Sequence, residues 1–229
     1  MSHILHIDTS VTSASVCLSD NENVVQFLAG KEQKNHAAFL QHAITEILNK
    51  ENVTPKSLAA VSVTNGPGSY TGLRIGMATA KGLCYALNIP LITISTFEVM
   101  TVAAINIIQA NGLFTSENDL LCPMIDARRM EVFTALLNKK LDYIDKPSSI
   151  ILSNNTFIRQ LNNCKIFFYG NGCSKFKMIC HHPNAHFIES DFDASHMVSL
   201  SNQCFMKKNF ANLAYVEPFY GKEFYSVVS

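Results

Sequence analysis

The sequence predicts a two-domain α/β protein in which each domain has a mixed β-sheet flanked by helices. Three observations support this fold class. The 229 residues are 48% hydrophobic and only 16% charged, which provides enough apolar material for a sizeable core. Three short strand-like segments at the start are followed by alternating helices and strands. After a polar stretch near residue 113 the strand pattern begins again, so we expect a domain boundary there.

The predicted first domain begins with an antiparallel meander, because polar, turn-forming residues separate three β-like segments. Helical periodicity and short apolar runs then alternate, which is typical of an α/β sheet. In chain order the predicted elements are strands 3–7, 14–19 and 24–29, helix 35–50, strand 59–64, helix 71–87, strand 90–94 and a helix beginning after residue 95. Ser95 and Glu98 form a capping box for this last helix, since each can satisfy a free amide at the helix start.

The predicted second domain is less regular. A hairpin over 121–126 and 131–137 opens it. The weaker elements that follow are a helix at 155–161, strands at 165–169 and 186–188, a helix at 195–208 and a closing strand at 216–220. We therefore expect domains at 1–113 and 114–229, with the second domain reduced.

The charge balance excludes a simple polyanion-binding protein. Eighteen basic and eighteen acidic side chains cancel, and neither half of the chain forms a basic tail. A protein that grips RNA alone normally has a basic face, so we expect any RNA contact to be shared with a partner.

Composition also predicts the cellular compartment. We expect neither a signal peptide nor a membrane span, because the sequence shows no signal-like segment and no run of about 20 apolar residues. Seven cysteines occur without a C-x-x-C pair, which favours reduced thiols in a cytoplasmic protein.

The first candidate site is the polar segment Asp8, Thr9 and Ser10, which follows a strand and enters a hairpin. A carboxylate and hydroxyl groups at a hairpin tip can hold a metal-bound phosphate, with turn amides as further donors. The alternative is that these residues only form an Asx-type turn.

The second candidate is the glycine-rich segment 64–76, where Gly66, Gly68 and Ser69 lie between a predicted strand and a helix. Glycine allows a sharp turn, and free amides at a helix start can bind an anion. The spacing is not that of a Walker loop, and no lysine follows the glycine. A purely structural turn is the alternative.

The order of elements and the hairpin tip resemble the actin-like (ASKHA, ribonuclease H-like) superfold of sugar kinases and heat-shock ATPases. Within that superfold the sequence resembles the TsaB (YeaZ) family. The segments that carry this resemblance are Ile7 to Ser10, His36, the segment 64–76, Ser95-Thr96, Ile125 to Phe133 and, more weakly, Glu217 to Tyr220.

This resemblance implies a non-catalytic subunit of the bacterial machinery that makes threonylcarbamoyladenosine next to the anticodon of tRNA. It implies a TsaD-like transferase and a TsaE-like ATPase as partners, a competing homodimer, indirect contact with tRNA, and no cofactor. The resemblance also implies that TsaD, the catalytic relative, carries a His-x-x-x-His pair that binds a metal. Here His36 is followed four residues later by Leu40, and His42 lies on a different helical face.

Two other features suggest chemistry. Cys180, His181, His182 and His186 are close in sequence, but adjacent residues point apart in an extended segment, and no second ligand pair has zinc spacing. We therefore expect no metal. The charged residues Asp126, Arg128, Arg129 and Glu131 are expected to pair with one another on a hairpin surface.

Rival functions remain open at this point. A phosphotransferase or ATPase of the same superfold would use Asp8, but it needs a second phosphate hairpin and an adenosine-binding segment, for which 169–172 is too short. A glycoprotease-like hydrolase would need metal ligands, which this sequence lacks.

The first two helices are predicted to bind a partner. Apolar residues cover roughly 180° of helix 35–50, wider than the approximately 100° stripe that one core face requires. Helix 71–87 is nearly all-round apolar, and its glycines allow close helix approach. The alternative is dense packing within the domain. The predicted interface residues are His36, Phe39, Leu40, Ala43, Ile44, Ile47, Gly72, Arg74, Gly76, Met77 and Ala80.

Overall fold

The computed structural model describes residues 2–30 and 35–221. These residues form two compact units, each with a five-stranded mixed sheet. The described residues up to Val99, together with Phe192–Phe219, form the first unit. Met100–Asp191, with Tyr220 and Gly221, form the second. The division falls inside a helix rather than after residue 113, and the chain returns to the first unit near its end.

The sheet of the first unit has the predicted mixed topology. Its strands are β1 (His3–Asp8), β2 (Ser15–Asp20), β3 (Asn23–Ala29), β4 (Leu58–Thr64) and β5 (Leu91–Ile94). Their order is β3-β2-β1-β4-β5, with the first three antiparallel and with β4 parallel to both β1 and β5. The helices that alternate with these strands are α1 (His36–Lys50), α2 (Tyr70–Leu87) and α3 (Thr96–Ala110).

Local capping explains where α1 and α2 begin and end. The side chain of Asn35 accepts from the amide of Ala38, and the side chain of Ser69 accepts from the amide of Gly72. Each cap satisfies an amide that has no partner within its helix. Asn88 ends α2 in the left-handed conformation that asparagine tolerates well.

The core of the first unit lies between the sheet and α1 with α2. The apolar residues of α1 at helical spacing are buried in it, and so are the inward side chains of β1 and β4. The buried members from α1 are Leu40, Ala43, Ile44, Ile47 and Leu48. The apolar width of this helix is therefore used inside its own unit.

The last described part of the first unit is a strap without regular secondary structure, residues 209–219. A short 3-10 helix (Ala194–Met197) precedes it, and the last helix of the described residues (Val198–Met206) lies between the two. The strap's Ala211 amide donates to the Leu91 carbonyl (2.8 Å), and Lys81 Nζ donates to the Val216 carbonyl (3.2 Å). The predicted closing strand at 216–220 was wrong, because the strap makes isolated hydrogen bonds and local turns instead of a ladder.

A buried polar network fastens this last helix to the sheet. Ser201 Oγ donates to Ser62 Oγ (2.7 Å), so it accepts from His6 Nδ1 at 3.2 Å. His6 Nε2 then accepts from Ser19 Oγ at 2.8 Å. All four side chains are buried, and burial lowers the pKa of His6 to about 3. The imidazole is therefore neutral in the folded protein.

The second unit begins its sheet with a hairpin, as predicted. Its strands are β6 (Leu120–Asp126), β7 (Glu131–Leu137), β8 (Tyr143–Ile151), β9 (Ile166–Tyr169) and β10 (Ala185–Phe187), in the order β10-β9-β6-β7-β8. This unit also contains two short helices, α4 (Ile158–Leu161) and α5 (Cys173–Lys177). The helix Val198–Met206, described above in the first unit, is α6. Strand β8 was not predicted, because Lys146 and Pro147 interrupt its β pattern. Both residues are typical of an edge strand, where β8 lies.

A cluster of aromatic side chains lies in the core of the second unit. Phe168 packs against Phe176 with ring centroids 4.9 Å apart and against Phe187 at 5.4 Å. The hydroxyl of buried Tyr169 lies 2.7 Å from Thr101 Oγ1, which satisfies both groups. Among the described residues no helix combines the length and apolarity needed to cross a bilayer.

Candidate functional site

The candidate site lies at the carboxyl edge of the parallel strands in the first unit. Asp8 ends β1, Thr64 ends β4, and Thr96 follows β5. Because parallel strands end at the same edge of a sheet, their terminal residues are brought together. All three side chains are fully buried.

One carboxylate oxygen of Asp8 holds the hairpin tip together. Asp8 Oδ1 accepts from the Ser10 amide (3.0 Å), from Ser10 Oγ (2.7 Å) and from Thr64 Oγ1 (2.8 Å). The Asx-type turn that the sequence suggested is thus confirmed. Burial raises the pKa of Asp8, the hydrogen bonds act in the opposite direction, and the charge of Asp193 adds to the rise.

Three buried oxygens at this edge have no hydrogen-bond partner among the described residues. They are Asp8 Oδ2, Thr9 Oγ1 and Thr96 Oγ1. Unpaired buried polar atoms are uncommon, and these three lie at the same edge of the sheet.

The glycines of segment 64–76 allow α2 to pack directly onto the hairpin tip. A Cβ on Gly68 would lie 2.2 Å from the Ser10 carbonyl oxygen, and one on Gly72 would lie 2.1 Å from that of Thr9. A Cβ on Gly76 would lie 2.2 Å from Thr9 Oγ1. These glycines therefore serve a contact within the chain.

The strap closes the same loop from another direction. Gly66 has φ 110°, and a Cβ there would lie 2.1 Å from the carbonyl oxygen of Phe219. The Phe219 amide donates to the Asn65 carbonyl (2.6 Å), and the Thr96 amide donates to the Gly66 carbonyl (2.9 Å). Since the backbone of the strap occupies this space, the loop is filled from within the chain.

Two amides at the start of α2 also have partners within the chain. The Ser69 amide donates to the Ser10 carbonyl (2.7 Å), and the Gly72 amide donates to Ser69 Oγ (3.2 Å). Two of the predicted anion-binding residues, Gly68 and Ser69, thus contact Ser10, whereas Gly66 packs against the strap. Their observed contacts are packing and capping contacts, and anion binding stays a prediction.

Sequence reasoning missed a polar group beside this site. Asp193 Oδ1 accepts from the Ser195 amide (2.8 Å) and Ser195 Oγ (2.5 Å), and lies 3.2 Å from His196 Nδ1. The Ala194 amide donates to Ser15 Oγ (2.9 Å), and Ser15 is the strand partner of Asp8.

The pKa of Asp193 reflects this arrangement. Partial burial alone would raise the pKa, but hydrogen bonds from His196 and Ser195 outweigh it and lower the pKa. The only sequence signal for this residue was an aspartate at a helix start, and nothing in the sequence linked it to Asp8.

His36 links α1 to the hairpin between β1 and β2. Its Nε2 donates to the Thr12 carbonyl (3.1 Å), which ties α1 to the hairpin, and its ring lies beside Gly72. Among the described residues no three His, Cys, Asp or Glu side chains converge as metal ligands.

The side chains of the histidine-rich loop in the second unit lie in different surroundings. Cys180 is buried in the aromatic core, and His186 packs beside Phe167. Both ring nitrogens of His182 are engaged, since Nε2 donates to Asn162 Oδ1 and Nδ1 accepts from the Asn184 amide, both at 3.2 Å. These side chains do not point to one centre.

Most residues of the predicted interface are buried within the first unit. The buried ones are His36, Leu40, Ala43, Ile44, Ile47, Gly72, Gly76, Met77 and Ala80. Phe39 is half-buried and Arg74 is exposed, with its guanidinium 4.3 Å from the Tyr70 ring centroid. The argument from excess apolar width was therefore wrong, because the sheet and the strap cover those side chains. The interface itself stays a prediction.

The hairpin of the second unit does not pair as expected. Asp126 forms its ion pair with Lys175 (2.8 Å), and its Oδ1 also accepts from the Arg128 amide (2.6 Å). Glu131 accepts from Ser149 Oγ. The predicted pairing of Asp126 with the arginine side chains was wrong, because α5 brings Lys175 closer.

The strand order of the first sheet and the carboxylate hairpin at its edge define an actin-like α/β protein, and the second sheet provides the second domain of that fold. A family model described as TsaD, tRNA N6-adenosine threonylcarbamoyltransferase, matches residues 29–216. YeaZ from Pseudomonas aeruginosa has the same fold, with a TM-score of 0.77 and 22% identity, covering 96% of this chain and 100% of that chain.

Two curated relatives narrow the assignment. The tRNA threonylcarbamoyladenosine biosynthesis protein TsaB of Bacillus subtilis is 30% identical over 179 residues, covering 77% of this chain and 74% of the relative. TsaB of Haemophilus influenzae is 27% identical over 231 residues, covering 95% and 92%. The chain belongs to the TsaB (YeaZ) family.

Proposed function

We propose that this chain is a non-catalytic subunit in the biosynthesis of tRNA threonylcarbamoyladenosine. Membership of the TsaB family ties it to that pathway. In this proposal the chain binds a TsaD-like transferase in the cytoplasm and supports a TsaE-like ATPase. In this proposal the chain takes part in tRNA binding only as a member of the complex, and a homodimer competes with the heterodimer.

The filled hairpin tip carries the non-catalytic part of the proposal. In the first unit, α2 and the loop before it pack directly against Thr9 and Ser10, and the backbone of the strap packs against Gly66. The amides of Ser69 and Gly72 already donate within the chain. Opening the site would require α2 to separate from the hairpin, which would break these contacts and expose buried polar groups.

Exposed Gly82 supports the proposal that a partner binds to the outward face of α2. Gly72 and Gly76 are explained by contact with the hairpin tip, whereas a Cβ on Gly82 would meet nothing within 4 Å. A glycine inside a helix costs about 1 kcal/mol relative to alanine, so close approach of a second helix is a physical reason for it. Exposed Arg74 and Tyr85 lie on the same helix, and Tyr85 is 83% exposed.

Reconstitution tests the function. The chain is mixed with a TsaD-like transferase, a TsaE-like ATPase and unmodified tRNA, and threonylcarbamoyladenosine is quantified in the digested tRNA. We expect product only when the chain is present, and the isosteric Asp8→Asn variant should retain activity within about twofold, since no reacting group is removed. Equal product without the chain would contradict the proposal.

The interface has its own test. Gly82→Leu projects into open space, so the fold should persist while affinity for the transferase and for a second copy falls at least tenfold, roughly 1.4 kcal/mol. Lys208→Glu, on the segment after α6, is the matched control and should leave both affinities unchanged. Sedimentation measures both, and circular dichroism verifies folding. Unchanged assembly of folded Gly82→Leu would place the interface elsewhere.

The rival function is an ATPase or phosphotransferase that uses Asp8. The buried Asp8 Oδ2 without a partner favours it, because such an oxygen is suited to a ligand. ATP hydrolysis by the purified chain alone, lost in Asp8→Asn, would support the rival and overturn the scaffold role.

A further inference from the structure

The hairpin between β6 and β7 has an unusual backbone at its tip. Arg128 has φ 72° and Arg129 has φ 48°, so two adjacent arginines are left-handed. Glycine, asparagine and aspartate are the usual residues in this conformation, because a Cβ is disfavoured there. Backbone hydrogen bonds fix the tip. The Ala127 amide donates to the Glu131 carbonyl (3.1 Å), and the Glu131 amide donates to the Arg128 carbonyl (3.0 Å). Arginine thus occupies two positions where the backbone conformation favours other residues.

The base of this hairpin is rigid. The Asp126 amide donates to Asn171 Oδ1 (2.9 Å), and the Gly172 amide donates to the Met124 carbonyl (3.0 Å). A Cβ on Gly172 would lie 2.9 Å from Val132, so the neighbouring loop packs tightly against the hairpin. The tip therefore presents its side chains from a fixed support.

The two guanidinium groups are not neutralised within the described part of the chain. No hydrogen bond or ion pair engages either side chain there, and both residues are exposed. The nearby carboxylate of Asp126 is paired with Lys175, whose side chain is only 14% exposed. The hairpin tip consequently carries net positive charge although the whole chain has none.

Chemistry at the tip favours phosphate over a protein partner. The flanking Ala127 and Met130 are half-buried, so the tip has no apolar centre of the kind that protein interfaces bury. The guanidinium fork matches the geometry of phosphate oxygens, and contacts that position a nucleic acid are mostly of this type.

We propose that Arg128 and Arg129 bind the phosphate backbone of RNA. This inference rests on the proposed function, in which the RNA is the tRNA substrate of the complex. Two such contacts are too few to hold RNA alone, which agrees with the neutral charge of the chain. Their role is to position the RNA that the partner subunit binds.

The test is a double variant, Arg128→Gly with Arg129→Asn, which suits the left-handed backbone. We expect its melting temperature to rise by about 4 °C, because strain is relieved. Affinity of the reconstituted complex for unmodified tRNA should fall about tenfold at low salt, and the slope of log affinity against log salt should decrease by about 1 to 2.

Lys208→Asn is the matched control. Lys208 is also exposed, cationic and left-handed, with φ 53°, but it lies in the first unit. This variant should melt higher without any change in tRNA affinity. Equal loss of affinity in both variants would show a general charge effect and overturn the assignment.

A titration of the chain alone separates this inference from the proposed function. Transfer-RNA is added at low salt, and nuclear magnetic resonance follows the arginine side-chain signals. Shifts of Arg128 and Arg129 support the site even if the complex fails to assemble or to modify tRNA. Absence of shifts, together with unchanged affinity of the complex, overturns it, and so does equal competition by polyglutamate.

Discussion

The hairpin tips of the two units show opposite uses of the same element. In the first unit, Asp8, Thr9 and Ser10 are buried, and glycines without a Cβ let the chain itself fill the surrounding space. In the second unit, Arg128 and Arg129 adopt a conformation suited to glycine, yet they carry long exposed side chains. The first tip is closed by packing and the second is left open to solvent. A resemblance between hairpins therefore says little about what each one binds.

The closed tip should be the most sensitive part of the molecule. Gly72→Ala places a Cβ 2.1 Å from the Thr9 carbonyl oxygen, and backbone on both sides must shift. We expect a loss of about 3 kcal/mol in the free energy of unfolding, measured by urea denaturation. A loss below about 1 kcal/mol would show that the packing at this tip is loose.

Gly82→Ala is the control for that substitution. It changes the same residue type in the same helix, but the added Cβ meets open space. The free energy of unfolding should rise by about 1 kcal/mol from helix propensity alone.

Acid should weaken the first unit through His6. Burial lowers its folded pKa to about 3, whereas the unfolded pKa is near 6.5. Below pH 6.5 the unfolded chain therefore binds a proton that the folded chain cannot. Stability falls by about 1.4 kcal/mol per pH unit until pH approaches 3, or roughly 2 kcal/mol between pH 6.5 and pH 5.

Urea denaturation at pH 7 and pH 5 measures this loss. His6→Gln should reduce the pH dependence, because it removes the buried imidazole. An equally steep pH dependence in His6→Gln would assign the acid sensitivity to other groups.

The second unit has a smaller internal test. Thr101→Val keeps the shape of the side chain but leaves the buried Tyr169 hydroxyl without the partner at 2.7 Å. The expected cost is about 1 to 2 kcal/mol in thermal or urea unfolding. Thr101→Ser retains the hydroxyl and should cost clearly less, which separates the hydrogen bond from packing.

The smallest effect is expected at the open tip. Lys175→Met removes the ammonium that holds the pKa of Asp126 below its usual value. The pKa of Asp126 should rise towards its ordinary range, measured by nuclear magnetic resonance titration. The free energy of unfolding should change by less than about 1 kcal/mol, because this ion pair lies near the surface. A larger loss would mean that the pair supports the hairpin.

The sequence predicted the first sheet well because its signals are local. Polar turns between short β-like segments and the helical spacing of α1 and α2 agree with one another and with the fold. The edge strand β8 was missed since its exposed residues and Pro147 carry little β signal. The strap was misread as a strand because isolated hydrogen bonds leave no periodic pattern.

Long-range partners limited the prediction of the site. The sequence analysis left open whether Asp8 to Ser10 form an Asx-type turn or a phosphate site, and it did not predict that the glycine loop lies beside them. The reason for Gly76 was misjudged, because a glycine facing a threonine and one facing another helix look identical in sequence. Asp193 was missed because its proximity to the hairpin depends on chain return over more than a hundred residues.

The return of residues 192–219 to the first unit sets an order for biosynthesis. When only residues 1–100 have left the ribosome, the edge of β5 and the His6 imidazole lack their later partners, because Ala211 and Ser201 have not yet been made. The continuous stretch Met100–Asp191 emerges before those residues and supplies the whole second sheet. The first unit is thus completed after the second sheet, and the nascent protein carries an open sheet edge until residues 192–219 have been made.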